Sequence, residues 1–252
     1  VTVLAPVFIV FVISHVLAIA WGIMIKVPDF TATVHTANTG FHDGLKTLGP
    51  LGMILIFIHA YSLGGGTYTG IEAVSNGVPM MREPKAQTAK RTMVYMALSL
   101  AFTASGLLFC YLLWNVQSLP GKTMNAVFFE SLTAHVPFGW VFALIALISE
   151  GLILVVAAQA GFIDGPRVLA NMAADSWVPR RFSSLSKRLT TSNGVLFMSL
   201  ASLAALIYTK GSVSHLVVMY SINVFVTFSL SIFGMLKHYI KTRRSKKKWL
   251  SG

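Results

Sequence analysis

The sequence predicts an all-α integral membrane protein, and three observations carry that prediction. Of its 252 residues 55% are hydrophobic and only 11% charged, a balance that excludes a soluble domain. Six apolar stretches read as helical spans: about 1–25, 51–81, 93–114, 139–165, 194–209 and 213–236. One of them, 51–81, reaches span length only if a polar, glycine-rich stretch is counted within it. Its apolar lead-in, Leu51–Leu63, falls short of the ~20 apolar residues that a bilayer requires.

Taken in order, residues 1–25 form a span with Trp21 near its outer end as an interfacial anchor. No charged segment or cleavage site precedes the apolar run, so it reads as a mature span and not as a signal peptide. His15 lies at its middle with no carboxylate in the same span to partner it. Two readings stay open for it, a hydrogen-bonded packing residue or a functional group. Residues 26–50 are polar and turn-rich and read as an extracellular loop, in which His35, His42 and Asp43 fit no metal-ligand spacing.

After the 51–81 span, Pro84 in REPKAQTAKR suits the first turn of a short cytoplasmic helix. The 93–114 span carries Ala101, Ala104, Ser105 and Gly106 for close packing, and its lone Cys110 excludes an intrachain disulfide. In KTMNAVFFESLTAHVP, Met124, Val127, Phe128 and Leu132 recur at helical spacing, which predicts a short amphipathic helix on the outer face as a candidate lid. The fourth span stays helix-compatible beyond its apolar part, through Asp164, Arg167 and Asp175. The last two spans meet around Lys210–Ser212 as a tight hairpin, and a basic tail follows over 237–252.

The net charge of +12 is a matter of topology. Sixteen of the twenty Lys and Arg fall in alternate loops on one side, and the other side holds only Lys26, Lys46, Lys122 and Lys210. The positive-inside rule makes the sixteen-cation side cytoplasmic. The protein is then a multi-pass cell-membrane protein with a cytoplasmic C-terminal tail, and its 51–81 span is entered from outside. KHYIKTRRSKKKW reads as stop-transfer charge beside lipid head groups rather than as a nucleic-acid surface. LPGKT (119–123) lacks the Walker spacing, GGGTYTG lacks the third glycine of a dinucleotide fingerprint, and no nucleophile–base set stands out. The reading therefore contains no enzyme, cofactor or resident metal.

Chemistry concentrates in GGGTYTGIEAVSNGVPMM, residues 64–81. Glycines lower the steric penalty for leaving helical geometry. A break at Gly64–Gly70 frees carbonyls upstream, suited to a cation, and N–H groups downstream, suited to a carboxylate. Gly65, Gly66, Thr67, Tyr68, Thr69 and Gly70 are the candidate ligands, with three hydroxyls at the depth of the freed backbone. Glu72 lies one turn inside the second half-helix. Ionised there it costs about 3 kcal/mol unless paired, which makes it a candidate proton-exchanging group or a hydrogen-bonded structural acid.

Glu150 is the second membrane-depth carboxylate, a second coupling group or a packing acid paired with a helix outside this sequence. Its neighbours Gly151, Ala157, Ala158, Ala160 and Gly161 mark a protein-facing stripe. His59, a turn above the break, is a candidate proton relay. Tyr220 and Asn223, in the sixth span, either staple helices or touch solute.

Three pieces of the chain resemble the amino acid–polyamine–organocation transporter superfamily: TYTGIEAVSNGVP, the REPKAQTAKR loop, and the fourth-span exit with Arg167, Leu169, Ala170, Met172, Ala173, Asp175, Pro179, Arg180 and Phe182. The resemblance implies the inverted-repeat, LeuT-like fold of five plus five helices, present here in part. It makes residues 1–25 the fifth helix, ending the first repeat, and 51–236 the complete second repeat with a discontinuous helix at about 51–81. Within the superfamily, TGIEAVSNGVP is most similar to the bacterial high-affinity potassium importers that couple K⁺ entry to protons. That similarity implies Thr69 as a potassium ligand, Glu72 as the proton-handling residue and Tyr220, in VVMYSINVFVTFSLS, as a residue near the ion.

The first and third helices, which supply acidic residues and the first helix break in that superfamily, lie outside this sequence, as do the eleventh and twelfth. The resulting expectation is a proton-coupled symporter that imports a small solute, K⁺ first, in a lipid bilayer. Its partners are the solute, protons, those further helices and, in a homodimer, a second copy. An amino acid permease of the same fold and a truncated, non-transporting membrane protein are the alternatives.

Overall fold

The computed structural model describes residues 4–185 and 191–250, without the side chains of Leu4, Thr67, Tyr68, Thr69, Glu72 and residues 244–250. Among the described residues the chain is helical and free of strands. The α-helices are α1 (Leu4–Lys26), α2 (Phe30–Leu63), α3 (Thr69–Gly77), α4 (Lys85–Leu113), α5 (Met124–Thr133), α6 (Gly139–Ala174), α7 (Ser192–Tyr208) and α8 (Val213–Leu250). Four stretches are long and apolar enough to cross a membrane: Ala5–Gly66, which takes in both α1 and α2, then Lys85–Leu113, Gly139–Ala174 and Val213–Arg243. The apolar α7 is shorter.

Residues 26–50, which read as a loop, are mostly helical. Threonine and glycine lower helix propensity, but that preference is weak and here it is overridden. Thr33, Thr36, Thr39 and Thr47 each turn the side-chain hydroxyl onto the carbonyl four residues back, at 2.8–3.0 Å, so these polar groups are satisfied within the helix itself. The arm ends at a sharp corner. Gly49 takes φ 70° and ψ 173°, a conformation open to glycine, and Pro50 behind it brings no N–H to the helix before it.

Two further boundaries differ from the sequence reading for the same reason, that helix continues where no signal stops it. REPKAQTAKR and the third span form the single helix α4 from Lys85. The sixth span and the basic tail form the single helix α8, 38 residues long. The hairpin between α7 and α8 is where the sequence places it. Lys210 and Gly211 take positive φ, and the N–H groups of Lys210 and Gly211 donate to Ile207 O (3.1 Å) and Leu206 O (3.0 Å), closing the end of α7.

The core lies where α1, α4, α5 and α6 meet: Ala18, Ile19, Cys110, Phe128, Phe129, Leu132, Ala143 and Ala146. Glycines set the spacing of these helices. A Cβ at Gly22 would stand 2.9 Å from Phe128 Cζ, and one at Gly106 would stand 2.9 Å from Ile19. The Trp114 indole N–H donates to Gly22 O at 3.0 Å across the same seam. α5 is therefore no lid. Phe128 and Phe129 are wholly buried, so the helix is a plug driven between its neighbours, and the apolar periodicity that suggested a membrane-lying face is its core-facing side.

α7 packs on α6 through Gly194, where a Cβ would lie 3.0 Å from Pro166 Cβ. The small-residue stripe of α6 stays open instead: Ala157, Ala158, Ala160 and Gly161 are exposed, and a Cβ at Gly151 or Gly161 would meet nothing within 4 Å.

Candidate functional site

The helix interruption falls at Gly64–Tyr68, five residues of 3-10 helix between α2 and α3. Its geometry corrects one expectation. Gly64 stays in the right-handed region at φ −70°, ψ −7°, and its N–H still bonds back to Ala60 O. The chain tightens here without unwinding. The glycines serve close approach instead of backbone freedom. Gly65 is buried, and a Cβ on it would lie 2.9 Å from Phe225 Cε2 of α8. A Cβ on Gly66 would lie 3.4 Å from Tyr220 Cε1, and one on Gly70 would overlap Met96 Sδ of α4. The bare backbone of the interruption is thus pressed against α8, and Gly70, in the first turn of α3, against α4.

Tyr220 is therefore brought to the break, with its ring against Gly66, while Asn223 one turn on is exposed. The side chains of Thr67, Tyr68, Thr69 and Glu72 lie outside the described residues; their backbone is 3-10 at Thr67 and Tyr68 and α-helical at Thr69 and Glu72. A cleft of about 390 Å³ opens between α2 and α8 immediately before the interruption, lined by His59, Ser62, Leu63, Ser221 and Phe225 among others. Ser62 and Ser221 donate to backbone carbonyls of their own helices, at 2.7 and 2.8 Å.

Glu150 is placed elsewhere, in the middle of α6, and its partner is inside this chain rather than beyond it. His15 Nε2 of α1 stands 2.9 Å from Glu150 Oε1, and the Asn125 amide of α5 donates to the same oxygen at 2.7 Å. The Tyr111 hydroxyl of α4 donates in turn to Asn125 Oδ1. His15 is fully buried between Phe11 and Phe129, with ring centroids 4.1 and 5.4 Å away, and Glu150 is 17% exposed. Four helices thus contribute one polar side chain each to a connected cluster inside an apolar core.

Asn125 and Tyr111 were not legible as members of this cluster. The signal for the pair itself is in the sequence, since a buried charge is rarely left unpaired and His15 and Glu150 both fall within apolar stretches. At the far end of the interrupted element, the Arg167 guanidinium of α6 donates to Met80 Sδ.

Comparison with known proteins adds two findings. Potassium transporter KimA of Bacillus subtilis (strain 168) is 35% identical to the chain over 205 residues, which is 80% of this chain and 33% of that protein. The chain therefore spans about a third of the length of that curated relative. The model of a family described as amino acid permease matches residues 1–251. Its superfamily carries the LeuT-like fold. With a match along nearly its whole length, and with membrane-length helices around an interrupted one, the chain belongs to the amino acid permease family.

Proposed function

We propose that the chain is the second half of a proton-coupled importer of K⁺, the end of its first repeat and its complete second repeat, with the solute bound at the helix interruption that begins at Gly64. The observation that carries this reading is the packing of that segment. Glycine backbone at membrane depth lies against Tyr220, so the two pieces picked out by the sequence meet in one place. Irregular backbone at that depth persists where protein buries it or a cavity exposes it, and such places are where transporters bind ions. The similarity to a protein named as a potassium transporter supports K⁺ over other solutes.

In this reading Thr69, with Gly65, Gly66, Thr67, Tyr68, Gly70 and Tyr220 around it, holds the ion, and Glu72 exchanges the proton. Glu150 is a second, weaker coupling group. Access alternates as one helical bundle rocks against the other around the fixed site. Helices outside this sequence complete the site, and two copies form a dimer. The sixteen-cation side is cytoplasmic, which places the tail inside.

The test uses the full-length protein in a strain deficient in K⁺ uptake. Growth on low K⁺ is expected from the unaltered protein and is lost with Glu72→Gln, along with proton-coupled accumulation in proteoliposomes. Undiminished uptake by Glu72→Gln removes Glu72 from the mechanism. A second reading, an amino acid permease, is favoured by the description of the matching family. It requires a labelled amino acid, and not K⁺, to accumulate in the same vesicles.

A further inference from the structure

His15 carries an unusual amount of information about its own protonation. Its Nδ1 lies 2.7 Å from Phe11 O, and a carbonyl only accepts, so Nδ1 bears a hydrogen. Ser14 Oγ, 3.3 Å from the same nitrogen, already donates to Phe11 O at 3.0 Å. With Nδ1 protonated, the 2.9 Å contact between Nε2 and Glu150 Oε1 requires a proton between them. Either an imidazolium donates to a carboxylate, or a carboxylic acid donates to a neutral imidazole. Without that proton two lone pairs face each other, and the contact does not hold. The Asn125 and Tyr111 bonds fix which carboxylate oxygen takes part. Tyr111 donates to Asn125 Oδ1, which turns the Asn125 amide nitrogen toward Glu150 Oε1.

We propose that the His15–Glu150 pair is a one-proton site that ties α1 to α6 while the proton is bound and lets them part when it leaves. Asn125 and Tyr111 are its positioning residues. The proton belongs to the pair rather than to either residue. Other titratable groups on the surrounding elements are Lys26 at the end of α1, bonded to Asp29 at 2.8 Å, then Lys85, Lys90, Arg91, Tyr95 and Cys110 on α4, and Glu130 of α5, which is bonded to Lys122 at 2.6 Å. Asp164 and Arg167 sit more than three turns further along α6. Arg180 and Arg181 follow α6, and α7 bears no acid or base before Tyr208. The pair stands on α1 and α6, whereas the interruption is packed against α8. The use of this site in transport rests on the proton-coupled reading above; its proton dependence does not.

The experiment takes the full-length protein in proteoliposomes without K⁺, carrying nitroxides at Val10→Cys and Ile148→Cys. Both positions are exposed and line the cleft between α1 and α6. Dipolar broadening between the labels is read at roughly pH 5.5 and roughly pH 9.5. Broadening is expected to fall by about half or more at the higher pH, because the tie is lost with the proton. Glu150→Gln keeps a hydrogen bond to neutral His15 but has no proton to release, so its broadening is expected to be the same at both. A spectrum that does not respond to pH in the unaltered pair, or a response that survives Glu150→Gln, overturns the proposal. Where Glu150→Gln fails to insert, Asn125→Ala retains both titrating groups, and the midpoint of the response is expected to move. An unmoved midpoint removes Asn125 from the site. Failure of K⁺ uptake with the pH response intact counts against the transport reading alone.

Discussion

His15 and Glu150 are 135 residues apart in the chain and 2.9 Å apart in space, Nε2 to Oε1, across the packed seam of α1 and α6. Removing one member leaves the other buried without its partner. Breaking a buried pair in this way costs about 3–5 kcal/mol. Glu150→Ala is therefore expected to lower the thermal midpoint in detergent sharply. His15→Ala together with Glu150→Ala is expected to cost clearly less than the two single losses added, by about 1 kcal/mol or more. Strict additivity would show that the pair is not coupled.

Gly65 faces Phe225 with no room for a methyl group, 2.9 Å being the distance to an ideal Cβ. Gly65→Ala is expected to force the two elements apart at a cost of about 1–3 kcal/mol. Uptake by the full-length protein then drops about tenfold or more with membrane abundance maintained. Adding Phe225→Leu is expected to restore part of the rate. A double variant no better than Gly65→Ala means that the ring is not what the glycine accommodates.

Tyr220 lies against Gly66, and the proposed function puts its hydroxyl near the ion. Tyr220→Phe keeps the ring and its packing. The expected result is a rise in KM for K⁺ of about tenfold, equivalent to about 1.4 kcal/mol, with the maximal rate little changed. An unchanged KM assigns Tyr220 to packing alone.

The proposed orientation rests on the positive-inside rule. Thr242 of α8 and Leu119 between α4 and α5 are both exposed. A membrane-impermeant maleimide applied to intact cells is expected to label Leu119→Cys and to leave Thr242→Cys untouched until the cells are opened. The reverse pattern inverts the whole topology and places the tail outside.

Hydropathy made the apolar helices, the hairpin at Lys210–Ser212 and the long continuation of α6 past Asp164 legible, because each follows from local pattern alone. Local pattern also misled. The threonines of residues 33–47 look like loop formers until their hydroxyls are seen to bond one turn back. Phe128 and Leu132 define an apolar face, but nothing in their spacing distinguishes a face laid on lipid from one wedged between helices. The glycines at 64–66 marked the interruption correctly and its mechanism wrongly, since a requirement for space and a requirement for φ give the same residue. The partner of Glu150 was a question of which helices touch, and no segment of sequence states that.

α8 joins two regions that the sequence presents separately. Through Tyr220 and Phe225 it leans on the interruption, and it continues unbroken through Lys237 and Lys241 to Leu250. Thirty-eight residues make a rod of about 57 Å. Such a rod is a lever. A tilt of about 5° over the roughly 30 Å between Lys241 and Tyr220 displaces one end relative to the other by about 3 Å. The basic end and the contacts at Gly65 and Gly66 are thus parts of one continuous helix.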